Sequence, residues 1–222
     1  MIVITGASDG LGLQLAKIFK ETSTKVINIS RTKSEYADLD LLTDLRDPSA
    51  ITDTAQKINE MDEPVDALIN CAGVMSLEKV ESITPGEIQR VFDINIEAPI
   101  LLTSQLITKM RRDRSDIINV SSTVGTRPHY DNTVYGSTKW AMRGFSQNLQ
   151  LELKGTNRVV SFCIGGFRSR IAEKLTGEPQ KDPENWMDPK DIATFVKNII
   201  DLPKNMEVAE IIINRASGNK IR

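Results

Sequence analysis

Short, almost wholly apolar runs alternate along this chain with longer stretches in which apolar residues return every third or fourth position. Residues 1–5 (MIVIT) form an apolar run that leads into glycine, and Leu11, Leu15, Ile18 and Phe19 then recur at helical spacing. A second strand is predicted over 25–29 and a weaker third over 39–43. Ile51, Ala55, Ile58 and Met61 share one face of a helix predicted over 47–61. Residues 65–70 read as a strand, followed by a long helical region from about 85 to 112 that Pro99 is expected to break or bend. The remaining strands are predicted over 116–120, 159–164 and 208–213. Helices over 133–154 and 189–201 separate them. Buried strands that each feed a helix imply a parallel sheet covered on both faces. With right-handed crossovers this becomes an α/β, doubly wound (Rossmann) and mostly parallel sheet of seven strands, expected in the order 3-2-1-4-5-6-7. No repeat or linker divides the 222 residues, so one domain over 1–222 is expected. Residues 177–186, rich in Pro, Gly and charge, are the most loop-like stretch.

Composition narrows the partners. A net charge of −2 gives no electrostatic reason to expect nucleic acid or an anionic membrane. The basic cluster Lys109 to Arg114 follows a helical stretch, where it complements the negative end of a helix. Cys71 and Cys163 sit in apolar runs, and the chain has 1 histidine, so no metal site is expected. Such thiols suit a reducing compartment. The chain opens directly on a strand and has no apolar run of membrane-spanning length. No signal peptide is therefore expected, and the cytoplasm is the expected location.

Candidate chemistry begins where the first strand turns into its helix: Thr5-Gly6-Ala7-Ser8-Asp9-Gly10-Leu11-Gly12. Glycines here permit a tight turn, close backbone approach to a pyrophosphate, and close packing of helix on strand. The helix N-terminus adds free N–H groups and partial positive charge. Taken alone, the pattern also fits a well-made turn with no ligand. Further along, Tyr135 and Lys139 lie four apart on one helix face, and Ser121 and Ser122 end the strand at 116–120. A parallel sheet binds its ligands at that edge. A hydride arriving at a carbonyl carbon leaves charge on oxygen, so a proton donor must stand within hydrogen-bond reach. A phenol with its ordinary pKa of about 10 is a fair acid, and a neighbouring ammonium would lower that value.

Five elements in one order resemble the short-chain dehydrogenase/reductase family. The Gly-x3-Gly-x-Gly spacing of the turn is the first, and Ser122 standing 13 residues before Tyr135-x3-Lys139 is the second and third. Asn70-Cys71-Ala72-Gly73 looks like the family's Asn-Asn-Ala-Gly turn, and Asp93-Ile94-Asn95-Ile96 looks like its segment with a catalytic asparagine. The resemblance runs from residue 1 to about 215. It implies a catalytic group of Asn95, Ser122, Tyr135 and Lys139, with Asn95 keeping a water in a proton relay behind Lys139. It implies that Lys139 also binds the nicotinamide ribose, together with Tyr135. The turn residues Gly6, Ser8, Asp9, Gly10, Leu11 and Gly12 would hold the cofactor, aided by Asn70, Ala72 and Gly73. Asp44 and Leu45 match an adenine-contacting turn, although Asp44 and Asp47 together also suit a helix cap. After the strand at 159–164 the family has Pro-Gly. This chain has Ile164-Gly165-Gly166-Phe167-Arg168-Ser169, where Ile164, Gly165, Phe167 and Ser169 remain candidate contacts.

The second strand ends Ile29-Ser30-Arg31-Thr32, with Ser30 where relatives specific for NAD carry a carboxylate. Serine and arginine can bind a 2′-phosphate, which a carboxylate would repel, so NADP(H) is the expected cofactor. Asp9 dissents, because NADP-using relatives often place a basic residue in this turn. The reaction expected by resemblance is reduction of a ketone or aldehyde, a small-molecule carbonyl/alcohol substrate. A sensor or scaffold that binds NADP(H) without chemistry is the alternative. The resemblance also implies a homodimer or homotetramer, paired through the helices that follow strands four and five. His129, Arg127, Tyr130 and Trp186 are left without assigned roles.

Overall fold

A computed structural model of the chain describes residues 1–216, so 217–222 of the expected 1–222 domain lie outside the described residues. In chain order the elements are β1 (Ile2–Thr5), α1 (Gly10–Glu21), β2 (Val26–Ser30), β3 (Leu39–Leu42), α2 (Pro48–Asn59) and β4 (Ala67–Asn70). Then follow α3 (Pro85–Phe92), α4 (Ala98–Asp113), β5 (Asp116–Ser122), α5 (Thr133–Glu152), β6 (Val159–Ile164), α6 (Ile171–Thr176), α7 (Pro189–Ile200) and β7 (Glu210–Ile213). The seven strands form one sheet in the order β3-β2-β1-β4-β5-β6-β7, as expected, and every pairing is parallel.

Successive side chains of a strand point to opposite faces, so each buried strand feeds two cores. Ile2 and Ile4 pack with Leu11, Leu15 and Phe19 of α1 and with Ile192 and Val196 of α7. Val3 packs on the other face with Ile51 and Ile58 of α2, Leu102 and Leu106 of α4, and Leu149 of α5. The register sets Thr5 opposite Ile29 and Asn70, Asn70 opposite Asn119, and Ser122 opposite Ile164. Four strand ends therefore meet along one sheet edge. They bring with them the glycine turn, the Asn70–Gly73 turn, Ser122 and the Ile164–Ser169 turn.

The long helical region departs from expectation in an informative way. It is not broken at Pro99; a single wide turn, Asp93–Glu97, joins α3 to α4. Pro99 has no N–H to donate to the carbonyl of Asn95 four residues back. The backbone widens instead, and the N–H of Ala98 bonds to the carbonyl of Asp93, five residues back. Asn95 sits in the middle of this wide turn. Lys109 also departs: it is buried and donates to the carbonyl of Met61 at 2.7 Å, which leaves Arg111 and Arg112 at the helix end. The stretch after Ser169 contains a short helix, α6, that hydrophobic spacing did not indicate.

Candidate active site

The glycine turn is set by backbone crowding on one side and open space on the other. A Cβ on Gly12 would stand 2.1 Å from the carbonyl oxygen of Gly6, so no other residue fits where α1 crosses the turn. Gly10 has φ +54° and nothing within 4 Å of its missing side chain, which leaves the backbone there approachable from outside. Asp9 caps α1 by accepting from the N–H of Gly10 at 2.8 Å. The next turn is tied to this one by a side chain that sequence reading overlooked. The Thr5 hydroxyl accepts from the N–H groups of Cys71 and Ala72, both at 3.0 Å.

The four predicted catalytic residues converge. In α5 the Lys139 ammonium lies 5.6 Å from the centre of the Tyr135 ring and donates to the carbonyl of Val120 at 3.1 Å. Asn95 is 1% exposed, and its amide clamps the backbone of Val74, accepting from the N–H and donating to the carbonyl, each at 2.9 Å. It also donates to the Thr138 hydroxyl at 3.0 Å, between Tyr135 and Lys139 on the same helix. A Cβ on Gly73 would lie 3.4 Å from Asn95 Oδ1 and 3.6 Å from Lys139 Nζ, so these two groups border one small space. Ser121 donates to the carbonyl of Lys139 at 2.9 Å and fixes α5 against β5. Ser121 and Thr138 are positioning residues that no motif spacing had marked. Their only signal was a polar residue beside each predicted site residue.

The expected lowering of the phenol is reversed in the chain by itself. Burial pushes Tyr135 up to about 12, and the Ser122 hydroxyl beside it only partly opposes this. Burial likewise pulls Lys139 down to about 8, so the ammonium is itself held weakly. Both shifts have burial as their main cause, which disfavours either charge.

At the other end of the edge, hydroxyls cluster beside β2. Thr32 donates to the Ser8 hydroxyl at 2.8 Å, and Ser30 lies 3.3 Å from the same oxygen. Arg31 is exposed next to them. A buried network beneath holds the loop in place: Asn28 accepts from the N–H of Ala7 at 3.1 Å and donates to Asp40 at 2.8 Å. Ser34 donates to the carbonyl of Ala7 at 2.7 Å. A polar Asn28 inside an otherwise apolar strand was the available signal for this network. Asp44 is gripped by Arg46 at 2.6 Å, and that guanidinium holds its carboxyl down to about 2, while Leu45 is buried. Asn70 is buried as well, with its amide donating to Asn119 at 2.8 Å across the sheet, so its side chain braces β4 and β5.

Beyond β6, Gly165 donates to the carbonyl of Ile213 at 2.7 Å. Gln180 accepts from the N–H of Ser169 and donates to the carbonyl of Phe167, both at 3.2 Å. The Trp186 ring lies against Gly166, where a Cβ would come within 2.3 Å of it, and the Arg215 guanidinium stacks 4.5 Å from the ring centre. Trp186 thus packs behind the Ile164–Ser169 turn. Arg127, His129 and Tyr130 are exposed between β5 and α5. No group of three or more potential metal ligands occurs among the described residues, and no helix among them is long and apolar enough to cross a membrane.

Comparison with known proteins agrees with this geometry. Residues 1–180 match the short chain dehydrogenase family. The chain is similar to a probable NADP-dependent dehydrogenase of Haemophilus influenzae, 29% identical over 94% of this chain and 90% of the other. It is also similar to an NADP-dependent 3-hydroxy acid dehydrogenase of Salmonella typhi, 29% identical over 94% of this chain and 92% of the other. Among solved structures, the closed form of a serine dehydrogenase complexed with NADP+ superposes with a TM-score of 0.85 at 26% identity, covering 96% of this chain and 94% of that one.

Proposed function

The chain belongs to the short chain dehydrogenase family, and on that premise we propose that it is an NADP(H)-dependent oxidoreductase that reduces a ketone or aldehyde, with Tyr135 as general acid/base. The observation that carries this reading is the convergence of Asn95, Ser122, Tyr135 and Lys139 on the sheet edge that also bears the glycine turn. The turn fits a dinucleotide, because Gly10 leaves open space above a helix N-terminus and Gly12 brings α1 close beneath it. Gly6, Ser8, Gly10, Leu11 and Gly12 would hold the diphosphate, Ser30 and Arg31 a 2′-phosphate, and Phe167 and Ser169 the nicotinamide amide.

When bound, nicotinamide supplies or takes the hydride. The chain's own part is to place the carbonyl and move a proton. Ser122 donates to the substrate oxygen, and Tyr135, held neutral by burial, gives that oxygen its proton. Lys139, anchored on the carbonyl of Val120, stands behind the phenol as the source of the next proton. Asn95 fixes α5 relative to the turn after β4 through Thr138 and Val74. Burial disfavours phenolate, so the proton would leave Tyr135 as charge develops on the substrate oxygen.

The name of the Salmonella relative suggests 3-hydroxy acids, tested in the reductive direction as the corresponding 3-oxo acids, as first substrates to try. The reading extends to a single-domain, cytoplasmic homodimer or homotetramer. Support for the oligomer comes from Ile100 on α4 and Trp140 and Leu151 on α5, large apolar side chains left exposed. The test is an NADPH-oxidation screen across aldehydes, diketones, 3-oxo acids, 3-oxoacyl thioesters and quinones, repeated with NADH. Oxidation of NADPH by at least one carbonyl, with a higher kcat/KM than for NADH, is the expected result. Binding of NADPH without oxidation by any of them would favour a silent sensor, and preference for NADH would remove the argument from Arg31.

A further inference from the structure

Asp9 is out of place on a turn that receives phosphate. Its carboxylate stands at the N-terminus of α1 and would repel an anion there, weakening the attraction of the free N–H groups. The structure supplies a compensation from far along the chain. Lys174 in α6 donates to Asp9 Oδ2 at 2.5 Å, and Arg170, just before α6, donates to the same oxygen at 3.1 Å. Burial alone would raise the Asp9 carboxyl, yet Lys174, Arg170 and the Gly10 N–H together keep it below its ordinary value. Two cations thus face one carboxylate at the mouth of the turn. Both side chains are well exposed, at 66% for Arg170 and 60% for Lys174, and each has N–H donors beyond those given to Asp9. Glu173 is the other acidic group on α6 near Arg170.

The path of the chain says what these donors face. Ser169 belongs to the turn after β6, at the nicotinamide end, and Asp9 belongs to the glycine turn. The segment from Ser169 to Lys174 therefore crosses the edge between the two. In a dinucleotide seated on this edge, the part between nicotinamide and adenosine is the diphosphate. We propose that Arg170 and Lys174 are diphosphate ligands, a cationic strap held across the glycine turn by Asp9. Asp9 competes with the cofactor for the same two cations. This rests on the dinucleotide reading above, and it adds two binding residues that lie outside the family motifs.

The experiment is direct binding of NADPH and of NADH to the full chain, measured by calorimetry at low and high salt, with no turnover needed. In Arg170→Gln/Lys174→Gln both dissociation constants are expected to rise about tenfold at low salt, and the loss should shrink at high salt. Asp9→Asn keeps an acceptor for the Gly10 N–H, and it should tighten both nucleotides about threefold by freeing the cations. Opposite signs for the two variants are something a merely structural latch would not produce. Parent-like binding by the double variant, or weaker binding by Asp9→Asn, overturns the strap. So does a loss confined to NADPH, which would assign the cations to a 2′-phosphate instead. Failure of the parent chain to bind either nucleotide would overturn the dinucleotide reading itself, a separate result. Because the two cations are solvent-exposed, circular dichroism should show the double variant folded, and Lys174→Gln alone should give an intermediate loss.

Discussion

The two ends of the site edge are held by different kinds of contact. At the chemical end, Asn95, Thr138, Ser121 and Lys139 are all buried and joined by hydrogen bonds to backbone or hydroxyl groups. At the nucleotide end the contacts are between charged, partly or well exposed side chains, Arg46 with Asp44 and both Arg170 and Lys174 with Asp9. Buried polar groups that lose a partner carry the full cost of desolvation, whereas exposed ion pairs exchange partners cheaply. In the proposed function, geometry that must hold through the reaction is built from the first kind, and contacts that must be traded for a ligand from the second.

The largest expected effect lies at the chemical end. Tyr135→Phe should lower kcat about 1000-fold while leaving the NADPH dissociation constant within about twofold of the parent. Turnover at the parent rate would remove Tyr135 from the chemistry. Next comes Asn95→Ala, which strands the N–H and carbonyl of Val74 and leaves the Thr138 hydroxyl only its bond to the carbonyl of Tyr135. It should cost about 2–4 kcal/mol in urea unfolding. Arg46→Ala at the other end should change stability by less than about 0.5 kcal/mol. Equal costs at the two sites would erase the contrast. Arg31→Ala should weaken NADPH binding about tenfold and leave NADH binding nearly unchanged, as calorimetry can establish.

The smallest effect is a slope. Lys139 in the folded chain titrates at about 8, below its unfolded value, so between these two points the unfolded chain carries the extra proton. Stability without nucleotide should therefore rise with pH from about 8 towards about 10.5. Tyr135, raised to about 12, has the opposite sign above about 10, where the unfolded phenol ionises first and stability falls. Lys139→Met should flatten the lower slope in melting temperature measured against pH, and an unchanged slope would place its origin elsewhere.

Strand order and strand positions were legible in the sequence because they rest on local periodicity, whereas the grouping of Asn95, Ser122, Tyr135 and Lys139 was legible only through the resemblance of their motifs to the family's. Hydrophobic spacing located α4 but not the wide turn before it. The missing N–H of Pro99 acts on a carbonyl four residues away, and periodicity does not register that. Asn70 matched a motif as a cofactor contact, and its amide also donates to Asn119, a partner 49 positions along that only the sheet register brings near. The reversed shift of Tyr135 was out of reach for the same reason. The sequence shows that an ammonium is close, and only the fold shows how burial acts on both groups. Asp9 dissents from NADP(H) in the sequence, and its pairing with Arg170 and Lys174, more than 160 positions away, is a contact that only the fold supplies.

The most direct test of the central claim follows the hydrogen itself. Parent chain and Tyr135→Phe are each given NADPH deuterated at the transferable nicotinamide position together with the carbonyl panel, and any alcohol formed is analysed by mass spectrometry. The account predicts an alcohol with one deuterium on the former carbonyl carbon from the parent, and almost none from Tyr135→Phe in the same time. Alcohol without deuterium, or deuterated alcohol formed at an undiminished rate by Tyr135→Phe, would contradict it.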